Sequence, residues 1–104
     1  MAQLCVWDGF LARDVQLQYS PEGKAFAMLR LRSPAGFKKD GKDVADFLTF
    51  KAFDEVAEKA GTGNEGDPVV IWGRVRAWSK GEGDNKTYGN DLICTDIMLG
   101  AKAE

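Results

Sequence analysis

Histidine is absent from this chain, and its only cysteines, Cys5 and Cys94, lie near opposite ends. Without histidine or a Cys-x-x-Cys pair, a zinc site has almost no ligands to draw on. Neither Ser20, Ser33 and Ser79 nor the two cysteines have an imidazole to activate them as nucleophiles. Both cysteines sit in apolar segments and read as small core residues, for which a disulfide is not expected in a reducing compartment. No apolar run approaches the roughly 20 residues of a membrane helix. The opening "MAQLCVWDGF" lacks the basic region and long apolar stretch of a signal peptide. A cytoplasmic home with no membrane partner is expected. Gly61, Gly63 and Gly66 are not followed by the Gly-Lys-Ser/Thr of a phosphate loop. Asp40, Asp43 and Asp46 share a glycine-bearing loop with three lysines and read as a solvated charge run rather than a metal set. The expectation is a non-enzymatic protein with no cofactor.

At 104 residues the chain is long enough for one core, so residues 1–104 are read as a single domain. Twelve glycines favour a turn-rich fold built from strands. "QLCVWDGFL" (3–11) reads as a strand with a bulge or bend at Gly9, and "YSPEGK" (19–24) as a turn. "AFAMLRLRS" (25–33) alternates between an inward set and an outward one. "PAGFKKDGKD" (34–43) reads as a polar loop, and "DFLTFKAF" (46–53) as a third strand. "DEVAEKAG" (54–61) is the one convincing helix, with Asp54 as its cap and Gly61 as its stop. A fourth strand covers 69–78, a glycine-rich connection 79–89 and a closing strand 90–99. Three strands, a short helix and two more strands is the order of an OB-fold, an all-β, five-stranded Greek-key barrel.

Three of these strands repeat one design. The second turns Phe26, Met28, Arg30 and Arg32 outward, and the third Phe47, Thr49, Lys51 and Phe53. The fourth, "IWGRVRAW", turns out Trp72, Arg74, Arg76 and Trp78, leaving Ile71, Gly73, Val75 and Ala77 for the core. Aromatic rings stack on any nucleobase while neighbouring cations follow the phosphates, so such a face suits a single strand of any sequence. On one strand alone, exposed rings would equally suit cross-strand packing or a subunit contact. That alternative stays open for Phe26 and Trp72, and Arg30 and Arg32 have a second possible use in pairing with the acids of 54–67.

Net charge is −2, yet the charge is polarised. Residues 24–51 hold seven Lys/Arg against three acids and residues 74–86 four against two, whereas 54–67 hold five acids and one lysine. Local field rather than net charge decides contact with a polyanion.

The stretches "DGFLARDVQLQYSPEGKAFAMLRLRS", "FLTFKAFDEVAEKA", "EGDPVVIWGRVRAW" and "IMLG" together resemble the bacterial and phage single-stranded DNA-binding proteins over nearly the full chain. The resemblance implies sequence-independent binding and protection of single-stranded DNA in replication, recombination or repair. It places base-stacking rings at Phe37, Phe47 and Phe53, with Trp78 close to a further stacking position. It implies phosphate contacts at Lys38, Lys51, Arg74, Arg76 and Lys80, and Lys39, Arg30, Arg32, Trp72 and Tyr88 complete the candidate surface. A homo-oligomer, dimer or tetramer, is implied, with "QLCVWDGFL" as the pairing strand and Trp7 suited to the contact. Location would be at the nucleoid, or in the host cytoplasm for a phage protein. Two departures stand out: Leu48 replaces a histidine common in the family, and the chain ends "MLGAKAE" without the family's acidic tail. A tailless member is one reading. The alternative is a primosome accessory protein of similar fold that binds single strands and bridges replication proteins.

Overall fold

The computed structural model describes residues 4–100. Alternation with period two, small or aliphatic against aromatic or long polar, organises most of them into strands. These are β1 (Cys5–Leu11), β2 (Gln16–Tyr19), β3 (Ala25–Lys39), β4 (Lys42–Phe53), β5 (Pro68–Lys80) and β6 (Thr87–Leu99). Helix α1 (Asp54–Ala60) joins β4 to β5, and a 3-10 turn at Gly83–Asn85 lies between β5 and β6. The sheet order is β1-β5-β6-β4-β3-β2, and β1 also pairs with β3. Five strands therefore close into a ring, with β2 added outside it. β4 and β6 run parallel, and every other pairing is antiparallel. This is the OB barrel expected from the strand order.

Two glycines make closure possible. A Cβ on Gly9 would run into the Arg32 carbonyl oxygen. Glycine there lets β1 cross β3, where Phe10 pairs with Arg32 and Leu11 with Leu31. The Ser33 hydroxyl ties the same crossing by donating to the Asp8 carbonyl at 2.7 Å. A Cβ on Gly73 would likewise strike the Ile93 carbonyl oxygen. Beside it Trp72 pairs with Asp96 but Gly73 with Cys94, so Thr95 is the extra residue of a bulge.

Leu11, Leu29, Leu31, Phe50, Ile71 and Ile97 fill the barrel. Each such burial contributes roughly 1.5–3 kcal/mol of transfer free energy. Ala25, Ala27 and Ala52 are buried too, as are Ala57 and Ala60 of α1. These small side chains let the helix pack closely on the barrel. The Lys59 ammonium lies 3.0 Å from the Asp96 carboxylate, tying α1 to β6. That hydrogen bond, helped by one from the Ile97 N–H, holds the Asp96 carboxyl below its usual range. Among the described residues no helix is long and apolar enough to cross a membrane.

The structure corrects several expectations. β2 occupies a stretch given no strand, because only Leu17 marks an inward position there. The segments 34–43 and 79–89 are largely strand rather than loop: β3 and β4 run on to Lys39 and from Lys42, and β5 and β6 to Lys80 and from Thr87. Position 3 of the expected first strand lies outside the described residues. Asp54 does not cap α1; it has φ 56°, the N-cap is Phe53, and no side chain supplies a capping bond. Gly61 does end α1 as its C-cap, but it is right-handed, with φ −62°, and its lack of a side chain serves packing, since a Cβ would lie 2.6 Å from Leu17 Cδ2. Trp7, expected at a subunit contact, points inward, its ring edge-on to Phe50 with centroids 5.0 Å apart. Val75 and Ala77, expected in the core, are exposed, because β5 and β6 continue past the end of the barrel as a free-standing arm.

Candidate nucleic-acid interface

The outward sets of β3 and β4 meet rung by rung. Phe26 pairs with Phe53, Met28 with Lys51, Arg30 with Thr49 and Arg32 with Phe47. β5 is not their neighbour, because β6 lies between β4 and β5. The register Lys51–Ile93–Arg74 carries the outer face across β6, and the next rungs place Asp91 beside Arg76 and Gly89 beside Trp78. The three expected strand faces therefore belong to one surface four strands wide.

Its rings are held in place by their neighbours. Phe26 and Phe53 stack tilted, with centroids 5.4 Å apart. The Arg30 guanidinium lies 5.5 Å from the centre of the Phe47 ring and donates to Thr49 Oγ1 at 2.7 Å. Arg30 therefore braces Phe47 and Thr49 rather than pairing with the acids of 54–67. Phe47 and Phe53 nonetheless remain about half exposed. The Trp78 indole lies against Gly89, where any Cβ would run into the ring, and the Lys80 ammonium sits 6.0 Å from its centre.

The cations are mostly free. Among the described residues the only ion pairs are Lys51–Asp91, at 3.2 Å, and Lys59–Asp96. Arg32, Arg74, Arg76, Lys38, Lys39 and Lys80 thus have no carboxylate within ion-pair reach, and their charge faces solvent. Among the same residues no group of His, Cys, Asp or Glu is placed to hold a metal ion.

Five candidates, in three places, stand apart from this surface. Phe37, Lys38 and Lys39 lie on the β3–β4 arm, past a register shift between Pro34 and Lys38, with Phe37 beside a cleft that Phe10 also lines. Tyr88 pairs with Ser79, one rung from Trp78, so it faces the opposite side of the β5–β6 arm, with Lys86 over its ring at 5.5 Å. Trp72 pairs with Val6 and Asp96 beyond the Thr95 bulge and is half-buried.

Sequence reasoning missed Ile93, Asp91 and Gly89, all on β6. The bulge hid them: Cys94 and Ile97 are both buried at odd spacing, which breaks the alternation that would have shown a face. It also missed Phe10, half exposed beside Arg32, for which the Gly9 bend was the available signal.

A closed OB barrel bearing an aromatic and cationic outer sheet defines the class of fold. It is matched by the crystal structure of wild-type single-stranded DNA binding protein from Thermus aquaticus, with a TM-score of 0.75 and 18% identity, over 92% of this chain and 48% of that one. Residues 2–99 match the single-strand binding protein family, and the chain belongs to it. It is similar to the single-stranded DNA-binding protein of Helicobacter hepaticus, 35% identical over 101 residues, covering 90% of this chain and 59% of the relative. To the curated Thermus aquaticus protein of the same description it is 30% identical over 80 residues, covering 75% of this chain and 30% of the relative. The chain thus spans less than two thirds of the length of either curated relative.

Proposed function

We propose that this chain binds single-stranded DNA without reading its sequence, protecting or presenting strands exposed in replication, recombination or repair. The observation that carries this reading is the single outer surface on which Phe53, Phe47 and Trp78 alternate with Lys51, Arg74, Arg76 and Arg32. Bases stack on the rings at roughly 1–3 kcal/mol each, and the cations take the phosphates. Membership of the family and the printed descriptions of its relatives support the same ligand. Neither named relative is a primosome accessory protein, and no feature of the barrel favours that reading.

The protein acts as a homo-oligomer joined through β1. β1 is the edge strand of the sheet order beyond its short crossing with β3, so most of one edge has no strand beside it. Leu4, just before β1, and its outward Val6 are exposed, as is Met98, and Val70 and Trp72 share that face with Asp8 and Asp96. Trp72 belongs to this contact rather than to the stacking row.

Fluorescence anisotropy with labelled oligothymidylate and with duplex of equal length tests the reading. Tight, salt-sensitive binding of the single strand and much weaker binding of duplex is expected. Equal affinity for both, or for neither, overturns it.

A further inference from the structure

A cleft of about 440 Å³ opens between β1 and the base of the β3–β4 arm. That volume falls within the roughly 300–1,000 Å³ of small-ligand sites. Two half-exposed or better exposed rings, Phe10 and Phe37, line it with Arg32 and Lys38, and its one carboxylate is Asp43. Phe10 is placed there by Gly9, whose missing side chain brings β1 against the Arg32 carbonyl. Phe37 is placed by the register shift between Pro34 and Lys38, with Gly36 at φ 86° within it.

The cleft is continuous with the stacking surface. Arg32 pairs with Phe10 on one side and with Phe47 on the other, so Phe10, Arg32 and Phe47 form a single rung across three strands. Adjacent strands lie about 4.8 Å apart, which sets the backbone positions of Phe10 and Phe47 roughly 10 Å from each other, with Arg32 between them. Ring, guanidinium, ring is the order a strand presents as base, phosphate, base. Neither Arg32 nor Lys38 has an ion pair among the described residues, so both charges are available to an anion.

We infer that this cleft receives one further base of a bound single strand, stacked on Phe10 beside Phe37, with the linking phosphate on Arg32 and the next on Lys38. The inference rests on the strand-binding reading and extends its track around the barrel from Phe47 to β1. Phe10 becomes a contact residue, and Gly9 its positioning residue.

The test uses the full chain with labelled oligothymidylate, comparing Phe10→Ala, Phe10→Trp and Phe47→Ala, each checked by sedimentation velocity. One stacked base corresponds to an affinity loss of about five- to 150-fold. Phe10→Ala is expected to show that loss at unchanged sedimenting mass, with Phe10→Trp retaining affinity. Photo-crosslinking of bromodeoxyuridine-substituted oligothymidylate is expected to leave an adduct on Phe10. If Phe47→Ala weakens binding and Phe10→Ala does not, the cleft takes no base and the inference falls while strand binding stands. If neither weakens binding, the strand-binding reading falls as well. If Phe10→Ala changes the sedimenting mass, the ring is a subunit contact and the inference is overturned.

Discussion

The barrel body and the two arms that project from it are built from the same strands under different rules. Along β3 every second residue is buried as far as Leu31, and beyond it none is; along β5 the change comes after Gly73. In the body, side chains are chosen by the core, whose packing tolerates little change in volume. In the arms both faces meet solvent, so Phe37, Trp78 and Tyr88 contribute almost nothing to a core. These rings are the ones the proposed strand contact would use. Phe47 and Phe53 lie at the seam, backed by the body and open outward.

This contrast can be broken in several ways. The largest effect falls on the body: Phe50→Ala should cost about 3–5 kcal/mol in a urea melt, whereas Trp78→Ala should change stability by no more than about 0.5 kcal/mol. A comparable loss from both would erase the distinction. Replacing Phe47 and Phe53 together by Ala should cost roughly 1–3 kcal/mol of strand affinity per base stacked. Stability should change much less. Gly89→Ala should push the Trp78 indole off its seat and remove up to the same 1–3 kcal/mol for one base. In a Trp78→Ala background it should remove nothing further, which a double-mutant cycle will show.

A smaller effect concerns Asp91, which neutralises Lys51 inside the basic surface. Asp91→Asn should strengthen strand binding by no more than about 1 kcal/mol and steepen the salt slope by roughly 0.7. The smallest returns to the body. Burial pushes the Cys94 thiol from 9.0 up to about 11. The folded state holds this proton more tightly than the unfolded one, so the associated stability is complete below about pH 9. It is lost as pH climbs through about 11. Stability–pH curves of the wild type and Cys94→Ala should converge or diverge only in that window.

The body was legible in the sequence because one face of each strand must be apolar: Ala25, Ala27, Leu29 and Leu31 declare β3, and Ile71 with Gly73 declares β5. The arms were not. Polar, glycine-bearing segments such as 34–43 and 79–89 look like loops when no core enforces alternation, although backbone pairing continues through them. The stacking surface was half legible. Outward faces of β3, β4 and β5 could be read singly, but that β6 joins them follows from the parallel pairing of Phe50 with Leu92 and Lys51 with Ile93. Pairing of strands distant in sequence leaves no local signal. Trp72 and Trp78 share a strand and a parity, yet the Thr95 bulge sets Trp72 beside Asp96 and Trp78 beside Gly89, on separate stretches of β6.

The most direct measurement is intrinsic tryptophan fluorescence during titration with oligothymidylate at two salt concentrations, for the wild type and Trp78→Phe. Trp7 packs in the core and Trp72 lies beyond the bulge, so Trp78 is the reporter on the stacking surface. Strong quenching that weakens steeply with salt, and that is largely lost in Trp78→Phe, is the predicted result. Quenching that persists undiminished in Trp78→Phe, or that duplex DNA of equal length reproduces, would contradict the account.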